Sequence, residues 1–95
     1  MHVITRSRLR VFWRQHPDAE TPLRAWFQVA RNARWGSIAD VRKVYPMADQ
    51  VAGFTVFNVG GNKYRLIVEI AFKLGRIYIR HVLTHREYDR GRWKP

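Results

Sequence analysis

Lys63, Arg65, Arg80, His85 and Tyr88 gather in the last third of the chain. Together they supply cations, an imidazole and a phenol without a thiol or a carboxylate pair. Those types suit metal-free cleavage of RNA, which has three requirements. A group must deprotonate or orient the 2′-hydroxyl. Cations must stabilise the phosphorane charge. An acid must protonate the departing 5′-oxygen. Lys, His and Tyr serve in proton transfer, and Arg clamps phosphate. The acids are few and scattered, so no carboxylate pair is placed to hold a magnesium ion.

Two strand-like apolar runs must position this set. Side chains alternate between the faces of a strand. In the first run Tyr64, Leu66, Val68, Ile70 and Phe72 therefore share one face, and Lys63, Arg65, Ile67 and Glu69 the other. In the second, Ile77, Ile79 and Leu83 fall together, with His81 on the same core face, opposite Tyr78, Arg80 and Thr84. One face reads as core. The other displays Lys63, Arg65 and Arg80 on neighbouring strands, with His85 and Tyr88 just beyond the strand end. Phe54 to Val59 is a third strand, closed by a tight turn at Gly60-Gly61 or Gly61-Asn62. Either turn puts Phe57 and Val59 on the core face and Asn58 on the open face near Lys63 or Arg65. Lys73 to Arg76 closes the second hairpin, in a register that sets Glu69 near Arg80.

The first half reads as one short strand followed by helices. His2 to Thr5 is the strand. Ser7 opens a helix through about Gln15, with Leu9, Phe12 and Trp13 on one stripe, and Pro17 ends it. Thr21 as N-cap and Pro22 at the first helical position start the next helix, whose buried stripe is Leu23, Trp26, Phe27 and Ala30. At helical spacing these aromatics read as core rather than as a stacking platform for bases. Arg6, Arg8, Arg10, Arg14, Arg24, Arg31 and Arg34 form a solvated face, some of it within reach of a polyanion. Ser37 to Asp40 begins a third helix with a capping-box-like pattern, and Pro46 stops it. Met47 to Gln50 is a connector. The fold class is α+β: a short N-terminal strand, two to three helices, then a three-strand antiparallel meander with the helices on one face, in a single domain over residues 1–95.

Composition points to the same partner. The formal charge is +11 and the pI about 11.3, with basic residues in both halves. A basic domain of this size reads as a nucleic-acid binder. No long basic amphipathic helix suggests a membrane surface, and no apolar run approaches a transmembrane span. The N-terminus lacks the apolar region of a signal peptide. With no cysteine there are no disulfides and no thiolate chemistry.

Three motifs have plainer readings. Val59 to Lys63 lacks the spacing of a phosphate loop and leads into a strand rather than a helix. His81 and His85 suggest a metal, but four residues along a strand span about 13 Å, too far for one ion; His81 reads instead as a core histidine. Tyr88 reads either as a core tyrosine with a wet hydroxyl or as part of the site.

Gly-Gly-Asn-Lys-Tyr-Arg-Leu-Ile-Val from Gly60, the Tyr78-Ile79-Arg80 strand and the Thr84-His-x-Glu-Tyr-Asp ending resemble the HigB-type toxins of bacterial toxin–antitoxin modules, within the RelE-like superfamily of mRNA interferases. The segments His16 to Glu20 and Pro22 to Trp26 also fit, so the resemblance covers nearly the whole chain. It implies a cytoplasmic bacterial endoribonuclease that cuts mRNA, commonly on the ribosome, needs no cofactor and is inhibited by a helix-turn-helix antitoxin. Asn62, Lys63, Arg65, Arg80, His85 and Tyr88 match the family's functional positions. The chain departs at His81, where the resemblance implies an apolar aromatic. The resulting expectation puts Arg65 and Arg80 on the scissile phosphate, Lys63 on phosphate or 2′-oxygen, His85 at proton transfer and Tyr88 as orienter or acid. Asn58, Asn62, Lys63 and Arg76 are expected to bind RNA. The rival classes are a non-catalytic RNA- or ribosome-binding module and a DNA-binding repressor. The strand-rich second half counts against the latter.

Overall fold

The computed structural model covers all 95 residues. Strand β1 (His2–Ile4) is followed by α1 (Ser7–Gln15), a single 3₁₀ turn (Pro17–Ala19), α2 (Glu20–Asn32) and α3 (Ile38–Val44). Then come β2 (Asp49–Val51), β3 (Phe54–Val59), β4 (Tyr64–Ala71), a 3₁₀ turn (Phe72–Leu74), β5 (Arg76–Thr84) and α4 (His85–Arg90). The sheet order is β1-β5-β4-β3-β2. The expected meander of β3, β4 and β5 is its centre. β1 joins one edge parallel to β5, and the short β2 forms the other edge in the segment read as a connector.

The helical stripes bury as their spacing predicts except at Trp13 and Phe27, which read as core by spacing and are only partly buried at its outer edge. Leu9, Phe12, Leu23, Trp26, Ala30 and Val41 form one core with Phe57, Val59, Tyr64, Leu66, Val68, Ile77 and Ile79 of the sheet. Trp26 meets Phe57 edge-on at 5.5 Å between ring centroids, a favourable aromatic geometry. Starts differ in detail. Ser7 is the first helical residue of α1 rather than its cap, and α2 begins at Glu20 directly from the turn at Pro17–Ala19. Pro22 thus lies in the first turn of α2, where its missing N–H leaves no ladder bond unmade. Ser37 does cap α3, its hydroxyl accepting from the Asp40 N–H at 3.4 Å.

The main departure lies in β5. Val68 pairs with Ile79 but Ile67 pairs with His81, so Arg80 is the extra residue of a β-bulge. Beyond it the alternation of β5 inverts. Val82 stands opposite Leu66 and packs against the main core, while His81 and Leu83 stand opposite Ile67 and Arg65. The core-face reading of His81 and Leu83 is therefore corrected: paired residues share a face, and theirs is the face away from the helices.

That second face is not open either. Ile67, Val56 and Trp93 form a small buried cluster there, with Phe54, Leu83, Tyr88 and Val51 against it. The chain end makes this possible. Thr84 caps α4 in a reciprocal capping box with Glu87, and Gly91 reverses the backbone at φ 70°. Trp93 then folds back, its indole N–H donating to the Tyr88 carbonyl at 3.0 Å.

Candidate active site

The loop from Gly60 to Lys63 joins β3 to β4 and starts the site. Gly60 and Gly61 both have positive φ. A Cβ on Gly60 would come within 3.2 Å of the Tyr64 ring, so the loop requires glycine here on both counts. It is a four-residue connection between the Val59–Tyr64 pair, longer than the two-residue turn expected.

Lys63 leaves this loop as an exposed ammonium whose Nζ lies 2.9 Å from Asp18 Oδ2. Asp18 comes from the 3₁₀ turn after α1, and its other oxygen accepts a short hydrogen bond from the Tyr64 hydroxyl. The Tyr64 hydroxyl first, and the Lys63 ammonium second, hold the Asp18 carboxyl below its ordinary range. Asp18 in turn pushes the Tyr64 phenol above its usual value. Beside them His16 stacks on Phe12 at 4.4 Å and tilts against Tyr64 at 5.5 Å.

Arg65 was expected on an open face and is 8% exposed. Its Nη1 donates to the carbonyls of Asn62 and Tyr64 at 3.2 and 3.1 Å, and its Nη2 to Asn62 Oδ1 at 2.8 Å. These bonds use three of its five N–H groups. The guanidinium also lies 5.5 Å from the Tyr88 ring centroid. Tyr88 stacks on Trp93 at 5.1 Å with an interplanar angle of 17°. Asn58 stands directly across from Arg65 in the β3–β4 ladder.

His85 is tied to Lys63 through the backbone, its N–H donating to the Lys63 carbonyl at 2.9 Å. Its Nδ1 lies 2.8 Å from Asp89 Oδ2, one helical turn on. A carboxylate only accepts, so Nδ1 carries the proton and Nε2 is the nitrogen left for chemistry.

Asn58, Asn62, Lys63, Arg65, His85 and Tyr88 are thus assembled around one end of β4 and β5. Arg80 and Arg76 are not. The bulge places Arg80 level with Ile67 and Val68, roughly 15 Å along the strand from Lys63. Its Nε pairs with Glu69 at 3.1 Å, as the register predicted, and it lies over Tyr78 at 5.1 Å. Arg76 pairs with Ala71 and His2 at the far end of the sheet. His81 stands beside Ile67; burial first, then Arg8 and Arg80, lower its pKa.

Three contributors escaped the sequence reading. The Thr84-x-x-Glu87 capping box announces α4, and the i,i+4 spacing of His85 and Asp89 then follows. Trp93 offered only its type as a signal. Asp18 offered none, because its contacts with Lys63 and Tyr64 cross 45 and 46 residues of chain. No group of three or more His, Cys, Asp or Glu is placed to hold a metal ion, and no helix is long and apolar enough to cross a membrane. The arrangement offers an anchored cation, an imidazole with one nitrogen free and a phenol held between a guanidinium and an indole.

Residues 19–91 match the family model described as HigB_toxin, RelE-like toxic component of a toxin–antitoxin system. Among curated proteins, the chain is 33% identical over 92 residues to the mRNA interferase toxin HigB of Escherichia coli K12, covering 94% of this chain and 88% of that protein. It has the same identity and coverage with the mRNA interferase HigB of Shigella flexneri. With the mRNA interferase HigB of Escherichia coli O6:H1 it is 27% identical over 93 residues, covering 95% and 90% of the two chains.

Proposed function

The chain belongs to the HigB family of RelE-like toxins from toxin–antitoxin systems, and from that premise we propose that it cleaves mRNA at the Lys63–His85 end of the sheet by metal-independent attack of the 2′-hydroxyl. As a toxin–antitoxin endoribonuclease it blocks translation, and its cognate antitoxin silences it. The substrate is mRNA engaged on the ribosome in the bacterial cytoplasm, because a site this exposed gains from having its substrate held by another body.

Lys63 contacts the scissile phosphate or the 2′-oxygen and offsets the charge that develops in the transition state. Engagement of RNA draws the ammonium away from Asp18. His85 moves the proton through Nε2, while Asp89 holds the ring by Nδ1. The Tyr88 hydroxyl orients the leaving oxygen or protonates it. Arg65 acts mainly as a positioning residue, since three of its N–H groups are committed to Asn62 and Tyr64 and its flat face supports Tyr88. Asn58 and Asn62 line the approach. Arg80 and Arg76 bind flanking backbone rather than the scissile phosphate.

The observation that carries this reading is the His85 pairing. An imidazole with one nitrogen on a carboxylate and the other free, hydrogen-bonded through its backbone to the residue bearing the Lys63 ammonium, is a proton-transfer group beside a phosphate-binding cation. The test is mRNA cleavage on translating ribosomes with excess chelator and analysis of the ends. A 5′-hydroxyl with a 2′,3′-cyclic phosphate or 3′-phosphate is expected. Activity lost on chelation, or a 5′-phosphate product, would sink the mechanism.

A further inference from the structure

Helices α1 and α2 leave a groove of about 410 Å³ on their outer surface. Arg6 and Arg10 border it from one side, Arg24 and Gln28 from the other, and Trp13 and Phe27 line its floor. No strand and no residue of the candidate active site reaches it.

Two of its three cations, Arg6 and Arg10, have no carboxylate partner. Four of the 18 Lys and Arg residues pair with a carboxylate. Arg6 and Arg10 are not among them. Glu20 is held by Arg24 at 2.7 Å, and no carboxylate lines the groove. The aromatic floor is already partly covered. The Arg24 guanidinium lies 4.7 Å from the Trp13 ring and that of Arg6 5.5 Å from Phe27. A nucleobase needs a free aromatic face to stack on, and each ring here already carries a cation on one face. The guanidinium edges, by contrast, present forked donors that match carboxylates. Arg and Trp set round an apolar depression are also the types that dominate binding energy at protein interfaces.

We propose that this groove docks an acidic, amphipathic segment of the antitoxin, its carboxylates on Arg6 and Arg10 and an apolar side chain in the depression among Leu9, Trp13 and Phe27. The proposal rests on the toxin–antitoxin reading for the partner's existence, and on the groove for its chemistry. Charge complementarity speeds the encounter and rejects basic partners. The segment anchors the partner away from the Lys63–His85 site, so losing it frees the toxin without altering its chemistry.

The experiment titrates the purified product of the reading frame next to this chain's own gene, taken as its antitoxin, into the full chain and two variants, the double charge reversal Arg6→Glu with Arg10→Glu and the near-isosteric Gln28→Glu. All these positions are exposed, so circular dichroism should match the parent. Expected is a Kd raised on the order of 10²-fold in the double variant and about tenfold in Gln28→Glu. Cleavage of mRNA by either free variant should stay within about threefold of the parent. Parent-like affinity in both variants overturns the proposal, as does a loss of RNA binding at unchanged antitoxin affinity, which would give the groove to RNA. A parent chain that does not bind this protein overturns the toxin–antitoxin reading beneath it. A parent that binds the antitoxin but cuts no RNA fails the nuclease reading alone.

Discussion

Trp93→Ala should disable the site without removing any group proposed to meet RNA. The indole is 8% exposed, and a tryptophan buries about 150–250 Å². At about 25 cal/mol per Å², its anchorage is worth at most about 6 kcal/mol. The substitution also removes the indole N–H bond to the Tyr88 carbonyl and the stacking on Tyr88. What else holds α4 is smaller. The Thr84–Glu87 capping box contributes about 1 kcal/mol, and the Arg65 guanidinium on Tyr88 about 1–2 kcal/mol. Six residues of helix cost about 1–2 kcal/mol each in backbone entropy, so α4 should detach locally while the sheet and the main core stay folded. Hydrogen exchange should show lost protection in α4 and unchanged protection in β3 and β4. Cleavage should fall on the order of 10²-fold as His85 and Tyr88 lose their placement, while the Lys63-dependent part of RNA affinity persists. Parent-like protection in α4, or cleavage within threefold of the parent, refutes the reasoning.

Further outcomes follow from the same geometry. Lys63→Ala should flatten the salt dependence of RNA binding by up to about one log unit per log unit of salt and leave Tm unchanged; an unchanged slope places the RNA elsewhere. Arg65→Ala should instead cost about 2 kcal/mol, because it strips donors from the Asn62 and Tyr64 carbonyls, and urea unfolding measures this. His85→Ala and Tyr88→Phe should each lower cleavage roughly 10²–10⁴-fold at retained RNA affinity; full activity in both removes this site from the mechanism. Because the folded-state pKa of His81 is depressed, its contribution to stability is complete above its ordinary value of 6.5 and is lost as pH falls below it. Asp18 follows the same sign at lower pH, present above 3.8 and lost in acid. His81→Gln should therefore flatten the fall of the stability curve below about pH 6.5, and a curve unchanged by the substitution overturns the assignment.

Much of the fold was legible because it depends on local pattern. The stripes of α1 and α2 and the alternation in β3 and β4 need only a period and an apolar side, and both are written residue by residue. The Glu69–Arg80 pair follows from counting across a hairpin. The site was half legible. Lys63, Arg65 and His85 announce themselves by type, but their company does not. A second face of alternating polar residues reads as solvated, and only the return of Trp93 shows that Ile67 and Arg65 lie beneath a lid of chain.

What the sequence by itself determined is the α+β class, the core stripes, the excess of cations and the chemistry they can support. Three matters were left to the tertiary structure. The bulge at Arg80 inverts the faces of β5, and one unpaired residue in a ladder leaves no mark on the apolar pattern, since Val82 and Leu83 are equally apolar on either face. Asp18 reaches Lys63 and Tyr64 only once α1 has packed on the sheet and delivered the following turn to the start of β4. Tyr88 sits between Arg65 and Trp93 only because Gly91 turns the chain end back. Each depends on contacts between residues distant in sequence or on a single backbone reversal, and local periodicity carries no record of either.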